Sequence, residues 1–248
     1  MGATMMTSAG AEAFRHQPVL ATEVTELFAP VPPGLVVDAT LGGGGHAAAL
    51  LSAHRHLRIL GVDRDATAVA AATERLRRFG DRAEVVRARF DEIPRLLDER
   101  PGVPLVGALF DLGVSSPQLD TADRGFSFRN DGPLDMRMDD RQQLDAATVV
   151  NTYPVDDLAR LIAENSDERY AGRVARAIER DRPITSTKRL AEIVRDAIPV
   201  PARREGGPPA RRTFQAIRLE VNPELPVLRT AREAALEPLV SAGRGAVL

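Results

Sequence analysis

The stretch Asp38-Ala-Thr-Leu-Gly-Gly-Gly-Gly-His46 decides the fold, because of what lies on either side of it. A short apolar segment, residues 35–37, runs into its acid, and an Ala/Leu-rich segment, residues 47–53, follows its glycines. Glycines let the backbone take conformations closed to other residues and let a ligand approach closely. The free N–H groups of the following helix suit an anionic or polar ligand. Strand, glycine turn and helix in this order therefore predict a nucleotide-type ligand at the end of a strand.

The segments that follow repeat this alternation. Residues 59–63, 84–87 and 105–111 are apolar, strand-like runs, and Asp65 is placed to cap a helix that reaches about Phe79. Strands that alternate with helices predict βαβ units and a parallel sheet. Right-handed connections bring the carboxyl ends of such strands to one edge, where ligands bind.

Beyond Asp111 the pattern becomes helical. Residues 121–138 are rich in Gly, Asp and Arg without a clean period, and residues 154–165, 168–180 and 187–198 each show one apolar helical stripe. This predicts a helical unit inserted into the α/β domain, ending in the loop 199–209. Residues 214–221 fit a strand or a helix, residues 225–240 a helix, and residues 245–248 the start of another strand. We expect the chain to stop before the last strands of its sheet.

Composition excludes several classes. The chain has 248 residues, 44% of them hydrophobic, a net charge of −2 and no cysteine. Disulfides, zinc–thiolate sites and cysteine nucleophiles are excluded, and a cytoplasmic location is expected. No apolar run has membrane-spanning length. Residues 1–15 lack the basic region of a signal peptide, so we expect them to form a disordered lead-in.

Two acids at predicted strand ends are candidate ligand contacts. Asp63 follows the glycines by about 20 residues, a spacing that suits hydrogen bonds to ribose hydroxyls. Because Gly42, Gly44 and Ala47 also fit the dinucleotide pattern, these motifs leave S-adenosylmethionine and NAD both open. Asp111 ends the fourth strand. If the ligand donates a methyl group to an exocyclic amine, a carboxylate or carbonyl there can accept the amine N–H and direct its lone pair.

Basic residues supply candidate phosphate contacts. Four arginines, Arg203, Arg204, Arg211 and Arg212, stand against one glutamate in residues 201–213, which suits nucleic acid as well as a solvated loop. Arg173, Arg176 and Arg180 share a helical face and are equally ambiguous. His46, inside the glycine turn, is expected to contact backbone or cofactor, and no metal site is expected.

Long stretches of the chain resemble one family, the bacterial 16S ribosomal RNA cytosine-N4 methyltransferases that act in the decoding region of the small subunit. The resemblance runs from residue 16 almost to the end. The matching stretches are residues 38–46, 62–65, 110–119, 124–128, 131–139, 168–170 and 212–218. It implies S-adenosylmethionine rather than NAD. The family continues with a strand and a Ser-Phe-His-Ser-Leu-Glu-Asp-Arg segment that this chain lacks.

The resemblance also implies a domain plan and a set of site residues. It implies a Rossmann-like class I methyltransferase domain over residues 16–120 and 213–248, with an inserted helical substrate-recognition domain over residues 121–212. The implied cofactor contacts are Gly44, Gly45, His46, Asp63, Phe90, Asp111 and Gln118. The candidate catalytic residues are Asp111, Ser115 and Ser116. The candidate RNA contacts are Asp135, Arg137 and the four arginines of residues 201–213.

Two other functions remain open at this point. A non-catalytic ribosome-binding or assembly protein would bind 16S rRNA or the small subunit without methyl transfer. An NAD-linked oxidoreductase would bind nicotinamide instead of S-adenosylmethionine.

Overall fold

The structure, a computed structural model, describes residues 18–204, 207–223 and 236–248. It divides into two compact units, one of residues 1–113 and 227–248 and the other of residues 114–226. These boundaries differ from the expected ones at 120/121 and 212/213, since residues 114–120 and 213–226 belong with the helical unit. The lead-in expected over residues 1–15 lies outside the described residues.

The first unit is built on a five-stranded parallel sheet. Its strands are β1 (Gly34–Asp38), β2 (Leu57–Asp63), β3 (Ala83–Arg87), β4 (Leu105–Phe110) and β5 (Leu239–Val247), in the spatial order β3-β2-β1-β4-β5. Register pairs Val37 with Leu60 on one side and with Ala108 on the other. The prediction of an α/β fold with a parallel sheet is confirmed.

The helices of the first unit that lie wholly within the described residues are α1 (Ala21–Phe28), α2 (Gly45–Ala53), α3 (Ala66–Leu76) and α4 (Ile93–Asp98). Asp65 caps α3 as predicted, its carboxylate accepting the Thr67 N–H at 2.9 Å. Alternate strand residues enter two cores. Val36 packs with α1, α2 and α3, whereas Val37 packs with α4.

The last strand corrects one expectation. Residues 225–240 were expected to form a helix, but Leu239 and Val240 belong to β5, which pairs with β4 up to the Phe110–Val247 position. β-Branched and apolar residues at the end of the segment favour the strand, because β4 offers a free edge to pair with. Residues 224–235 lie outside the described part.

The second unit is helical. Its helices are α5 (Ser116–Asp120), α6 (Ala146–Thr152), α7 (Val155–Asn165), α8 (Ala171–Arg180), α9 (Thr187–Ala197) and α10 (Arg211–Val221). The apolar stripes predicted for α7, α8 and α9 meet in one core that includes Leu158, Val174 and Leu190. Residues 214–221 prove helical, because Phe214, Ile217 and Val221 all face this core. Within the described residues no helix is long and apolar enough to cross a membrane.

Candidate active site

Three acids stand at the carboxyl edge of the sheet, one at or just beyond the end of each of three neighbouring strands. Asp38 ends β1, Asp63 ends β2, and Asp111 directly follows β4. Strand order reverses between β1 and β4: β2 and β3 are added on the outer side of β1, and β5 is added on the outer side of β4. Ligands of open parallel sheets bind at this kind of crevice. The acids that the sequence indicated therefore lie where a ligand is expected.

In the glycine turn at this edge, Gly42 has open space beside it, whereas Gly44 and Gly45 lie against neighbouring elements. Gly42 has φ +50°, and a Cβ placed on it would meet nothing within 4 Å. Gly44, at φ +73°, precedes α2, and a Cβ there would lie 3.3 Å from Ala72. A Cβ on Gly45 would lie 2.7 Å from Pro18. Gly44 and Gly45 thus let elements pack closely and can offer a ligand only backbone atoms, whereas Gly42 leaves room for it.

Asp63 holds the turn in place. Its Oδ2 accepts the Gly42 N–H and its Oδ1 accepts the Asp65 N–H, both at 2.8 Å. Burial raises the pKa of Asp63, against the lowering effect of these two bonds. A carboxylate oxygen has two lone pairs, so each oxygen can accept one further bond. The predicted contact with ribose hydroxyls is therefore compatible with the bonds already made.

Asp38 and Thr40 form a link that the sequence did not single out. Asp38 is 1% exposed, and its Oδ1 accepts the Thr40 N–H at 3.3 Å. The Thr40 hydroxyl oxygen in turn accepts the Asp111 N–H at 2.6 Å. Burial raises the pKa of Asp38 to about 7, although His46 and the Thr40 N–H act in the opposite direction. The ends of β1 and β4 are thus joined through one threonine.

His46 is buried beside these acids without a hydrogen bond of its own. It is 6% exposed, and neither ring nitrogen has a hydrogen-bond partner among the described residues. Its Nε2 lies 3.5 Å from Oδ2 of Asp111. Buried polar atoms are normally paired, and an unpaired one costs about 1–3 kcal/mol. A polar ligand group at this position would satisfy the ring.

Phe90 lies in a short 3-10 turn after β3 and is 7% exposed. Its ring meets that of Phe110 edge to face, with centroids 6.3 Å apart. Most of the ring therefore belongs to the core beneath the edge. Only the small part of the side chain that remains accessible is available for the implied cofactor contact.

The predicted residues Ser115, Ser116 and Gln118 belong to the second unit and are described within it. Ser115 precedes α5, and its N–H donates to Oε1 of Gln118 at 3.0 Å. Gln118 is 7% exposed. The amide that was expected to contact the cofactor thus also fixes the start of α5.

Two of the predicted RNA contacts are occupied by internal bonds. The Arg137 guanidinium pairs with both carboxylate oxygens of Asp135 at 2.9 and 2.8 Å and donates to the Gln142 carbonyl at 3.0 Å. Asp135, whose pKa is lowered because the bonds from Arg137 outweigh burial, also accepts the Arg137 N–H. These bonds fold residues 135–142 back on themselves.

The arginines of residues 201–213 differ from one another. Arg203 donates to the Ile198 carbonyl at 2.8 Å and to the Asp196 carbonyl, so it caps the end of α9. The Arg204 side chain falls outside the described part. Arg211 and Arg212 begin α10 and are exposed, with no ion-pair partner among the described residues.

The edge of the first unit fits a cationic, adenosine-bearing cofactor. Carboxylates suit positive and hydroxyl groups, the open Gly42 permits close approach, and the unpaired His46 lacks only a polar partner. Among the described residues no group of three or more His, Asp or Glu side chains is placed to hold a metal ion. Fold and edge together define a cofactor-dependent enzyme of the Rossmann-like α/β class.

Comparison with known proteins gives the family. Residues 13–248 match the model of the MraW methylase family, and the chain belongs to that family. A ribosomal RNA small subunit methyltransferase H from Thermobifida fusca (strain YX) is 52% identical over 245 residues, which cover 96% of this chain and 74% of that protein. The enzyme of the same name from Salinispora arenicola (strain CNS-205) is 54% identical over 94% of this chain and 64% of its own length.

The chain therefore spans about two thirds to three quarters of these relatives' length. A crystal structure of an rRNA methylase from Streptococcus thermophilus is 24% identical and covers 41% of this chain and 58% of that one, with a TM-score of 0.32, a likeness too distant to support an argument. Membership of a methylase family confirms the predicted methyltransferase class and S-adenosylmethionine as the cofactor.

Proposed function

We propose that the protein transfers a methyl group from S-adenosylmethionine to the exocyclic N4 of a cytosine in the decoding region of 16S rRNA. The observation that carries this proposal is the buried His46, whose ring nitrogens make no hydrogen bond to the described residues, beside Asp111 at a sheet edge that also presents the open Gly42. Family membership supports methyl transfer, and the names of the relatives support ribosomal RNA of the small subunit as its acceptor.

Different residues at the sheet edge are proposed to bind different groups of the cofactor. Asp63 would accept hydrogen bonds from the ribose hydroxyls, and the backbone of Gly44 and Gly45 and the ring of His46 would bind other polar groups of the cofactor. Phe90, Asp111 and Gln118 complete the set of contacts implied by the resemblance. When bound, the cofactor supplies a methyl group activated on a sulfonium.

Asp111 is proposed to act on the acceptor amine. The lone pair of a cytosine N4 is delocalised into the ring, and a carboxylate that accepts its N–H localises the pair on nitrogen. The Asp111 side chain is 35% exposed, so it can reach an acceptor and pass the amine proton on to water. The hydrogen bond from the Asp111 N–H to the Thr40 hydroxyl fixes the backbone that carries this carboxylate. Ser115 and Ser116 are proposed to contribute backbone or hydroxyl groups to the same acceptor.

Methyl transfer to small ribosomal subunits tests the proposal. Subunits from a strain that lacks the gene are incubated with the protein and S-adenosylmethionine labelled in its methyl group, and the modified nucleotide is identified by mass spectrometry. We expect label on N4 of a cytosine in 16S rRNA. Label on another base or another cytosine atom would refute the specificity, and subunit binding without label would favour an assembly role.

Two substitutions test the assigned residues. At saturating S-adenosylmethionine, Asp111→Ala should lower kcat by at least 100-fold, because the acceptor amine loses its hydrogen-bond acceptor. Asp98→Asn, an exposed carboxylate at the end of α4, removes the same charge from the same unit and serves as the control. Equal activity of the Asp111 variant and the control would exclude Asp111 from the reaction. A cytoplasmic location stays a prediction.

A further inference from the structure

The arginines of the helical unit differ in whether they have a bonding partner within the protein. Most of its described arginines are bound to acids or to carbonyls. Examples are Arg160 on Asp157 at 2.7 Å, Arg180 on Asp181 at 3.0 Å and Arg195 on Asp196 at 2.9 Å. Arg182 and Arg203 donate to backbone carbonyls instead. An arginine without such a partner is therefore the exception in this unit.

Two exceptions lie one turn apart on α8. Arg173 and Arg176 are exposed, and neither has an ion-pair partner within the described ranges, although Glu179 stands three residues beyond Arg176. The other side of α8 is buried in the core through Val174, Ala177 and Ile178. Because this packing fixes the helix, the two guanidinium groups project from a rigid support and stay about one turn apart.

Two more exceptions begin α10. Arg211 and Arg212 occupy the first turn of a helix whose preceding residue, Ala210, provides no side-chain cap. Cations at a helix N-terminus oppose the helix dipole, whereas an anion there is stabilised by it. With Gln215 and residues 164–167, these arginines line a depression of about 370 Å³.

The start of α10 and the start of α8 are linked through the segment that ends α7. The depression joins the start of α10 to the end of α7, and Asn165 donates to the Ala216 carbonyl across it at 3.4 Å. Only three residues separate Asp167 from the start of α8, a span of at most about 14 Å. Residues 164–176 and 211–212 contain five arginines (Arg169, Arg173, Arg176, Arg211 and Arg212) and three acids (Glu164, Asp167 and Glu168). Glu168 is buried and accepts the Tyr170 N–H, so its charge is partly used internally.

From this arrangement we infer that the end of the helical unit where α8 and α10 begin binds the RNA phosphate backbone, through Arg173 and Arg176 together with Arg211 and Arg212. The inference rests on the proposed function for the identity of the RNA and adds the surface that contacts it. Phosphates supply the negative charge that these guanidinium groups lack, and they also suit the uncapped start of α10. Arg137 and Arg203, expected contacts from the sequence, are not part of this surface.

Salt dependence of RNA binding tests the surface directly. Binding of 16S rRNA and of small subunits is measured from 50 to 300 mM KCl for the protein and for Arg173→Ala/Arg176→Ala. Each lost phosphate contact lowers the slope of log K against log salt by about 0.7 to 0.9, so the double variant should lose about 1.4 to 1.8. At 0.15 M salt this corresponds to about 10- to 30-fold weaker binding.

Matched controls separate this effect from a change in net charge. Arg180→Ala/Arg195→Ala removes two exposed arginines that are already paired, and it should change slope and affinity little. Arg173→Lys/Arg176→Lys keeps the charges and should restore most of the slope. Circular dichroism and unchanged affinity for S-adenosylmethionine establish that each variant is folded.

The outcomes distinguish this inference from the proposed function. If the unaltered protein methylates the subunit and the Arg173/Arg176 variant shows a raised KM for RNA with unchanged kcat, the surface is supported. If the unaltered protein methylates the subunit but this variant behaves like the Arg180/Arg195 control, the surface is overturned and the function stands. If there is no methylation, the function fails, and the salt slopes still decide the surface.

Discussion

Replacing Asp38 by asparagine should stabilise the protein, and increasingly so as the pH rises. Asp38 is 1% exposed and its pKa is raised from an ordinary value of 3.8 to about 7, mainly by burial. The unfolded chain therefore releases the proton near pH 4 while the folded protein keeps it until about pH 7. Since the folded state binds more protons across this window, stability falls as the pH rises through it.

The magnitude follows from the two pKa values. Ionising Asp38 in the folded state costs about 4 kcal/mol relative to the unfolded chain once the pH exceeds 7. At pH 5 less than half of that cost is expressed, and at pH 8 nearly all of it. Asparagine has the shape of the protonated carboxyl and can still accept the Thr40 N–H. The advantage of Asp38→Asn over the unaltered protein should thus grow by about 2–3 kcal/mol between pH 5 and pH 8.

Urea unfolding at pH 5, 6, 7 and 8 measures this difference. The chain has no tryptophan, so far-UV circular dichroism is the appropriate signal, and amide exchange in β1 assigns the transition to the first unit. Asp98→Asn supplies the background for loss of one surface carboxylate. A difference that stays constant with pH, or that reverses in favour of the unaltered protein at pH 8, would refute the assignment of a buried, largely protonated Asp38.

Three further predictions concern the edge and the helical unit. Gly42→Ala places a side chain at φ +50° and in the open space of the turn. It should lower the free energy of unfolding in urea by about 1 kcal/mol and weaken cofactor binding, measured by calorimetry, by at least tenfold. Equal cofactor affinity would show that the ligand does not approach Gly42. Asp63→Asn replaces an acceptor of two backbone N–H groups by a group with one acceptor oxygen. Cofactor affinity should fall more than tenfold. An unchanged dissociation constant would contradict the proposed role of Asp63 in cofactor binding. Arg137→Lys removes the planar guanidinium that donates to both carboxylate oxygens of Asp135. The free energy of unfolding should fall by about 1–3 kcal/mol. A stability equal to that of the unaltered protein would show that Arg137 does not stabilise the fold.

Local patterns predicted the sheet and the positions of its acids well. Asp63 and Asp111 could be placed at the edge because each ends an apolar run, and strand ends of a parallel sheet share one side. Asp65 was recognised as a cap because it precedes an amphipathic helix without competing signals. These features depend on residues within a few positions of each other.

What the sequence did not predict depends on distant partners. Thr40 gains its role from the Asp111 N–H, 71 positions away, and no local signal marks it. Arg137 and Arg203 looked available for phosphates, but the fold supplies carboxylate and carbonyl partners for both. Charge alone could not show that Arg137 and Arg203 have internal partners, and it gave no reason to prefer Arg173 and Arg176 to Arg180 before their neighbours were known.

The threonine that joins the ends of β1 and β4 constrains how this enzyme can change. Thr40 donates its N–H to Asp38 at the end of β1, and its hydroxyl oxygen accepts the Asp111 N–H just beyond β4. A shift of the Asp111 backbone to suit a new acceptor must therefore strain or break a bond to the same residue that donates to Asp38. Attempts to redirect the methyl group by remodelling residues around Asp111 should bring a loss of cofactor affinity with them, unless Thr40 is replaced in the same variant.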